Sequence, residues 1–191
     1  MKKIIPFLLI MLLAPPCYAR MTTVVVGGSV AVAPAAGTWY YGVDTYTETG
    51  SGDMSQYQIG DAITIGAATN ITAIAFKVRA KGDATEMKIG LYAHTKESAI
   101  TPLAFGTCTP ADTSWCIVSV SYTGDASTTY YVAGMANAAN LTTYSDSTGT
   151  DGFYSSTRLY ADWNGATTST LYTDANTLHT AICAGGTCTG P

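Results

Sequence analysis

Charged residues are scarce in this chain, and histidine is nearly absent. Of its 191 residues, nine are Lys or Arg, thirteen are Asp or Glu and two are His, so the formal net charge is −4. A protein that binds nucleic acid needs a basic surface to face the phosphates. The acidic balance therefore argues against nucleic acid as a partner.

The motifs of the common hydrolases are missing as well. The sequence contains neither the G-x-S-x-G turn of a serine nucleophile nor the H-E-x-x-H motif of zinc proteases. Its two histidines, His94 and His179, are better explained as surface or strand residues than as catalytic bases. The carboxylates stand beside Gly, Ser and Thr, as in turns, and no pair suits the acid and base of a glycosidase. We therefore predict that the protein is not an enzyme, and keep a carbohydrate-active enzyme as the third interpretation.

The sequence also lacks helical periodicity. Apolar residues nowhere recur with helical spacing over three turns. They alternate with period two instead. In residues 71–93, Ile74 and Phe76 share one strand face and Lys77 the other, and the stretch predicts two strands joined by a hairpin loop at residues 81–84. About nine or ten such short runs, separated by Gly, Asp and Thr-rich loops, predict an all-β antiparallel sandwich of the jelly-roll type over residues 38–191.

The first 19 residues have the features of a secretory signal peptide. Lys2 and Lys3 precede an apolar run, and the small residue Ala19 ends the segment where signal peptidase would cleave. The run is too short for a transmembrane helix. A lipid-modified Cys17 is the alternative, but Pro16 before it does not fit that motif. We predict a secreted protein, extracellular or periplasmic, in which residues 20–37 form an N-terminal arm or edge strands.

Four cysteines remain after this cleavage: Cys108, Cys116, Cys183 and Cys188. An even number in an exported chain indicates disulfides. Of the three possible connectivities, the local one is favoured, which joins Cys108 to Cys116 and Cys183 to Cys188. A four-cysteine zinc site is the alternative, although spacings of eight and five residues do not resemble the C-x-x-C pairs of zinc ribbons.

Several short runs in the middle of the chain carry a family resemblance. They are Tyr57-Gln58-Ile59-Gly60, Ile71-Thr72-Ala73-Ile74, Lys88-Ile89-Gly90-Leu91-Tyr92, Trp115 and Thr129-Tyr130-Tyr131-Val132-Ala133-Gly134. In this order they resemble core positions of the jelly-roll, carbohydrate-binding-module-like β-sandwiches of bacterial and phage extracellular proteins. The resemblance implies the fold more directly than any function.

Aromatic residues supply the candidate binding site. An exposed Trp or Tyr can stack on the apolar face of a sugar ring while Asp and Asn bind its hydroxyls. Because about half of the aromatic residues on alternating strands must face the core, we expect Tyr130 and one neighbour of Trp39 to be buried. Trp163 lies in a polar turn and is the best single platform, with capping of the sandwich end as its alternative role. The candidate ligand-binding residues are Trp163, Tyr160, Asp162, Asn164, Trp39 and Tyr41.

Two further features of the sequence concern ions and partners. Oxygen-rich loops could hold a structural calcium, for which the candidate ligands are Asp44, Asp53, Asp146 and Asp151. Lys77, Arg79 and Lys88 share an outward parity, which predicts either protection of a sheet edge or a small cationic strip.

The leading hypothesis is a secreted, non-catalytic module that binds carbohydrate or a surface polymer. The alternative is a structural or adhesive subunit of an extracellular assembly. That subunit would self-assemble by adding the β-branched arm from Thr22 to Ala33 to a neighbouring molecule as a strand.

Overall fold

A computed structural model describes residues 35–42, 54–55, 58–67, 69–93, 101–146, 152–155, 160, 171–174 and 177–191. In these segments the chain forms β-strands and no α-helix, as the alternation predicted. The strands are β1 (Thr38–Tyr41), β2 (Gln58–Ile65), β3 (Thr69–Ala80), β4 (Met87–Ala93), β5 (Ala104–Cys108), β6 (Trp115–Gly124), β7 (Thr128–Ala136), β8 (Thr142–Thr143), β9 (Ser145–Asp146), β10 (Gly152–Ser155), β11 (Leu171–Asp174), β12 (Thr177–Leu178) and β13 (Thr180–Ala184). All of them belong to one compact unit, Pro34–Pro191.

Most of the strands lie in two antiparallel sheets. The first sheet has the order β1-β13-β3-β6, with β8 paired to β3, and the second has the order β11-β10-β2-β7-β4-β5. β9 and β12 form a separate two-stranded ladder. The predicted all-β sandwich is confirmed. The first four strands alternate between the two sheets, and the jelly-roll topology stays a prediction.

The core lies between the two sheets. Alternate side chains of each strand point to it, because a strand presents its residues to opposite faces with period two. Ile74 and Phe76 of β3, Ile63 of β2 and Leu91 of β4 are fully or almost fully buried in one cluster. Tyr130 is also buried there, as predicted.

The predicted hairpin in residues 71–93 is wrong. β3 pairs with β13, β6 and β8, whereas β4 pairs with β5 and β7, so the two strands lie in different sheets. Alternation identifies the face of a strand that is buried, not the strand beside it. Both apolar faces are covered here because β3 and β4 contribute to opposite walls of the same core.

Side chains from other loops fasten the crossover between β3 and β4. The Asn137 Oδ1 atom accepts hydrogen bonds from the backbone amides of Thr85 and Glu86 at 3.0 and 3.2 Å. The Asn140 Oδ1 atom accepts one from the Asp83 amide at 2.9 Å. These bonds satisfy backbone donors that have no strand partner in a crossover.

Both predicted disulfides are confirmed, and the alternative zinc site is wrong because all four sulfurs are bonded in pairs. Although they are only eight residues apart, Cys108 of β5 and Cys116 of β6 do not close a hairpin, because β5 belongs to the second sheet and β6 to the first. This disulfide therefore joins the two sheets. A Cβ atom on Gly106 of β5 would lie 2.4 Å from Val118 Cγ1 of β6, so the glycine allows the strands to approach closely.

The second disulfide, Cys183–Cys188, lies against the segment that leads into β1. A Cβ atom on Gly37 would be 2.6 Å from Cys188 Sγ and 2.9 Å from Cys183 Sγ. The Gly37 amide donates to Thr187 O at 3.0 Å, and the Thr187 amide donates to Ala35 O at 2.9 Å. The start of the described domain is thus held by its C-terminal loop.

The predicted signal peptide (residues 1–19) and most of the arm, through residue 34, lie outside the described residues. His94 does so too. Among the residues that the structure does describe, no helix has the length and apolar character needed to cross a membrane.

Candidate functional site

The outer face of the first sheet carries partly exposed aromatic residues. On β1, Tyr40 packs against the core, so Trp39 and Tyr41 point to the opposite face. On β6, Cys116 and Val118 are buried, so the residues that alternate with them point outward. These include Trp115, which is partly buried, and Ile117. We call Trp39, Tyr41, Trp115 and Ile117 the aromatic platform.

Two alanines allow the rings of the platform to meet. β1 and β6 are separated by β13 and β3, so their backbones are about 14 Å apart at the usual strand spacing. The Tyr41 and Trp115 ring centroids are nevertheless only 6.0 Å apart, with their planes tilted by 51°. Between them, Ala181 and Ala75 occupy the same row of the sheet as Tyr41 and are fully buried on its outer face. We infer that the two rings extend over these small side chains.

The platform combines apolar surface with one cationic group and polar atoms. Tyr41 is 40% exposed and Ile117 is 38% exposed, the largest exposures among the big hydrophobic residues of the described segments. The Lys77 Nζ atom lies 5.3 Å from the centroid of the Trp115 ring, in the range of a cation–π contact. The Trp39 indole N–H donates to Thr189 O at 3.4 Å, which orients that ring. Such a surface can stack on a flat apolar ligand face and donate hydrogen bonds beside it.

Tyr160 lies elsewhere, against the outer face of the second sheet. Met87 and Ile89 of β4 are in the core, so Lys88 points outward, and its ammonium donates to Tyr160 O at 2.9 Å. The same ammonium lies 4.3 Å from the Tyr160 ring centroid. The Tyr160 hydroxyl donates a hydrogen bond to Glu86 Oε1. Burial raises the pKa of this hydroxyl, and the hydrogen bond and negative charge of Glu86 raise it further.

The structure thus separates the predicted binding residues into two places. Trp39 and Tyr41 are together on the outer face of the first sheet, and Tyr160 is on the outer face of the second. Trp163, Asp162 and Asn164 lie outside the described residues, so their role stays a prediction. Tyr160 packs beside a buried group on its own sheet, consisting of Tyr92, Tyr131, Ala133 and Met135.

The predicted cationic strip of Lys77, Arg79 and Lys88 is wrong, because these residues do not lie on the same sheet. Lys77 and Arg79 are on β3 in the first sheet, and Lys88 is on β4 in the second. Outward residues of the two sheets face opposite sides of the sandwich, so these three cations do not form one surface. Lys77 instead lies beside Trp115 of the aromatic platform.

The calcium site stays a prediction. Asp44, Asp53 and Asp151 lie outside the described residues, and Asp146 is placed only as a backbone position in β9. Within the segments that are described, no three or more His, Cys, Asp or Glu side chains are grouped as a metal site would require.

Sequence reasoning missed Trp115 as a binding residue. Trp115 is one of the positions that carry the resemblance to core positions of β-sandwich modules, and Trp115, Ile117 and Val118 give β6 apolar residues of both parities. The cysteine at position 116 could have resolved this ambiguity, because a disulfide tends to be buried and places its neighbours on the other face.

No family model matches the chain, and no curated protein and no solved structure matches it either.

Proposed function

We propose that this protein is an exported, non-catalytic module that binds carbohydrate or a surface polymer through the aromatic platform. The observation that carries the proposal is the pair of rings, Tyr41 and Trp115, held 6.0 Å apart on an outer sheet face. Their backbones are fixed by β-strands, so little conformational entropy is lost when a ligand stacks on them.

The chemistry of the platform suits a sugar. A pyranose ring has an apolar face of C–H groups that stacks on Trp or Tyr, while its edge carries hydroxyls that need hydrogen-bond partners. Lys77 stands beside Trp115 and can donate to a hydroxyl or pair with a carboxylate of an acidic sugar. Tyr41 is exposed and offers its hydroxyl in the same region.

Export is the second part of the proposal. Two disulfides support it, because such bonds form and persist in oxidising compartments. The basic and apolar start of the sequence supports it independently.

A glycan and polysaccharide screen of the disulfide-bonded protein tests the proposal. We expect binding that is lost in Trp115→Ala and in Tyr41→Ala. The matched control is Tyr160→Phe, which changes an aromatic residue on the opposite face and should bind as the wild type does. Trp163→Ala is the competing variant, since loss of binding there alone would move the site to the polar turn. No binding to any glycan in the screen would refute the proposal.

A further inference from the structure

The strand β6 forms an open edge of the first sheet. It is ten residues long, and its one strand neighbour in the described part of the chain is β3. Edge strands are normally protected by charged residues, proline or short length, because their unpaired N–H and C=O groups can pair with another chain. β6, with the sequence WCIVSVSYTG, has neither charge nor proline, and its pairing with β3 is interrupted by one register shift, between Ile71 and Ala73. In the described segments, the other edges of the two large sheets are β1, β5 and β11, which have only four or five residues.

The inner side of β6 is only partly covered. β5 lies opposite its first half, where Cys108 bonds Cys116 and Gly106 meets Val118. Further along the strand, Val120 and Tyr122 pack on the core but stay partly exposed. A strand added to this edge would satisfy backbone groups of β6 and also cover these two side chains.

The chain itself contains a segment suited to that position. Residues 22–33 have the sequence TTVVVGGSVAVA, without charge or proline. Four of its five valines, Val24, Val26, Val30 and Val32, have even numbers and share one face of a strand, while the odd positions hold Val25 and otherwise Thr, Ser, Gly and Ala. This period-two pattern is typical of a strand that is buried on one face.

We propose that residues 22–33 of one molecule add as a strand to β6 of a second copy, with the valine face over Val120 and Tyr122. A second copy is favoured because the described residues begin at Ala35, three residues before β1, and β1 is at the opposite edge of the first sheet from β6. The added strand (residues 22–33) and the accepting edge (β6) are different surfaces of the molecule, so copies can join head to tail into rings or filaments. This inference does not depend on carbohydrate binding.

Sedimentation velocity over a range of concentrations tests the inference on the whole disulfide-bonded chain. The double variant Val26→Asp/Val30→Asp places charges on the valine face, and Val25→Asp/Ala31→Asp is its control with the same charges on the other face. We expect the wild type and the control to assemble. The valine-face variant should need a concentration about a hundredfold higher or more, because buried valine area is lost and charges are buried.

Hydrogen exchange locates the acceptor. A synthetic peptide of residues 22–33, added to a variant that lacks this arm, should slow amide exchange in β6 and leave β1 unchanged. A wild type that is monomeric at every concentration would overturn the inference. Equal loss of assembly in both double variants, or protection by the peptide elsewhere than β6, would overturn it as well.

Discussion

Removal of the Cys108–Cys116 disulfide tests how the two sheets are held together. This bond closes a loop with a sequence separation of eight and joins β5 to β6. The chain-entropy relation assigns about 2.5 kcal/mol to a loop of this size at 25 °C. Cys116 is 2% exposed, so its replacement by alanine also removes a packed sulfur atom. We expect the double variant Cys108→Ala/Cys116→Ala to lose about 2.5–4 kcal/mol of unfolding free energy.

Urea denaturation of the double variant measures this loss directly. In thermal melts the same change should lower Tm by about 5–15 °C. Hydrogen exchange should show faster exchange of β5 amides, since β5 is a short edge strand that has only β4 as a neighbour in the described part of the chain. The matched variant Cys183→Ala/Cys188→Ala removes the disulfide with a sequence separation of five and should leave β5 exchange unchanged. A loss below about 1 kcal/mol, or faster β5 exchange in both variants, would refute the view that the first disulfide joins the sheets.

Three further predictions concern single residues. Asn137→Ala should lower the unfolding free energy by about 1–2 kcal/mol in urea denaturation, because two backbone amides of the crossover lose their acceptor. Thr113→Gly should raise it by about 0.5–1 kcal/mol, because Thr113 has a φ of 52° that a β-branched residue adopts at a cost. The pKa of the Tyr160 hydroxyl is raised in the folded state. The protonated hydroxyl therefore stabilises the folded state below the usual tyrosine pKa, and this contribution is lost as the pH rises above that value. The advantage of the wild type over Tyr160→Phe in urea should therefore shrink between pH 8 and about pH 11.

Each of these three outcomes has a contradicting result. Asn137→Asp keeps the acceptor oxygen but loses the Nδ2 donor to Thr85 Oγ1, so its stability should lie between those of the wild type and Asn137→Ala; stability as low as that of Asn137→Ala would contradict the role of the acceptor oxygen. The control for the glycine substitution is Thr109→Gly, at a position without positive φ, and it should destabilise; equal stabilisation in both would contradict the backbone argument. A stability difference between wild type and Tyr160→Phe that stays constant with pH would contradict the raised pKa of the Tyr160 hydroxyl, to which burial contributes most and Glu86 also contributes.

Alternation in the sequence predicted which residues are buried better than it predicted which strands are neighbours. Ile74 and Phe76 point into the core as predicted, and the predicted strand that contains them corresponds to β3 (Thr69–Ala80). The short link after it suggested a hairpin, yet the chain crosses to the other sheet. Local sequence sets the period of a strand, but pairing is decided by side-chain packing across the whole core.

The candidate site was predicted only in part. The sequence identified Trp39 and Tyr41, but it could not show that β6 brings Trp115 to their face, since that depends on the order of strands in the first sheet. The sequence also predicted that Lys77 and Lys88 lie on one surface, because both alternate with buried residues of their strands. The structure puts these two lysines on opposite faces of the sandwich, which no local pattern determines.

The measurement that tests the proposed function most directly is a calorimetric titration of the best glycan from the screen into wild type, Trp115→Ala and Tyr160→Phe. The aromatic platform predicts that Trp115→Ala weakens binding about tenfold or more, since losing a stacked ring costs about 1.4 kcal/mol or more, and that Tyr160→Phe binds as the wild type does. Wild-type affinity in Trp115→Ala, with a correctly folded and disulfide-bonded protein, would show that this face does not bind the ligand.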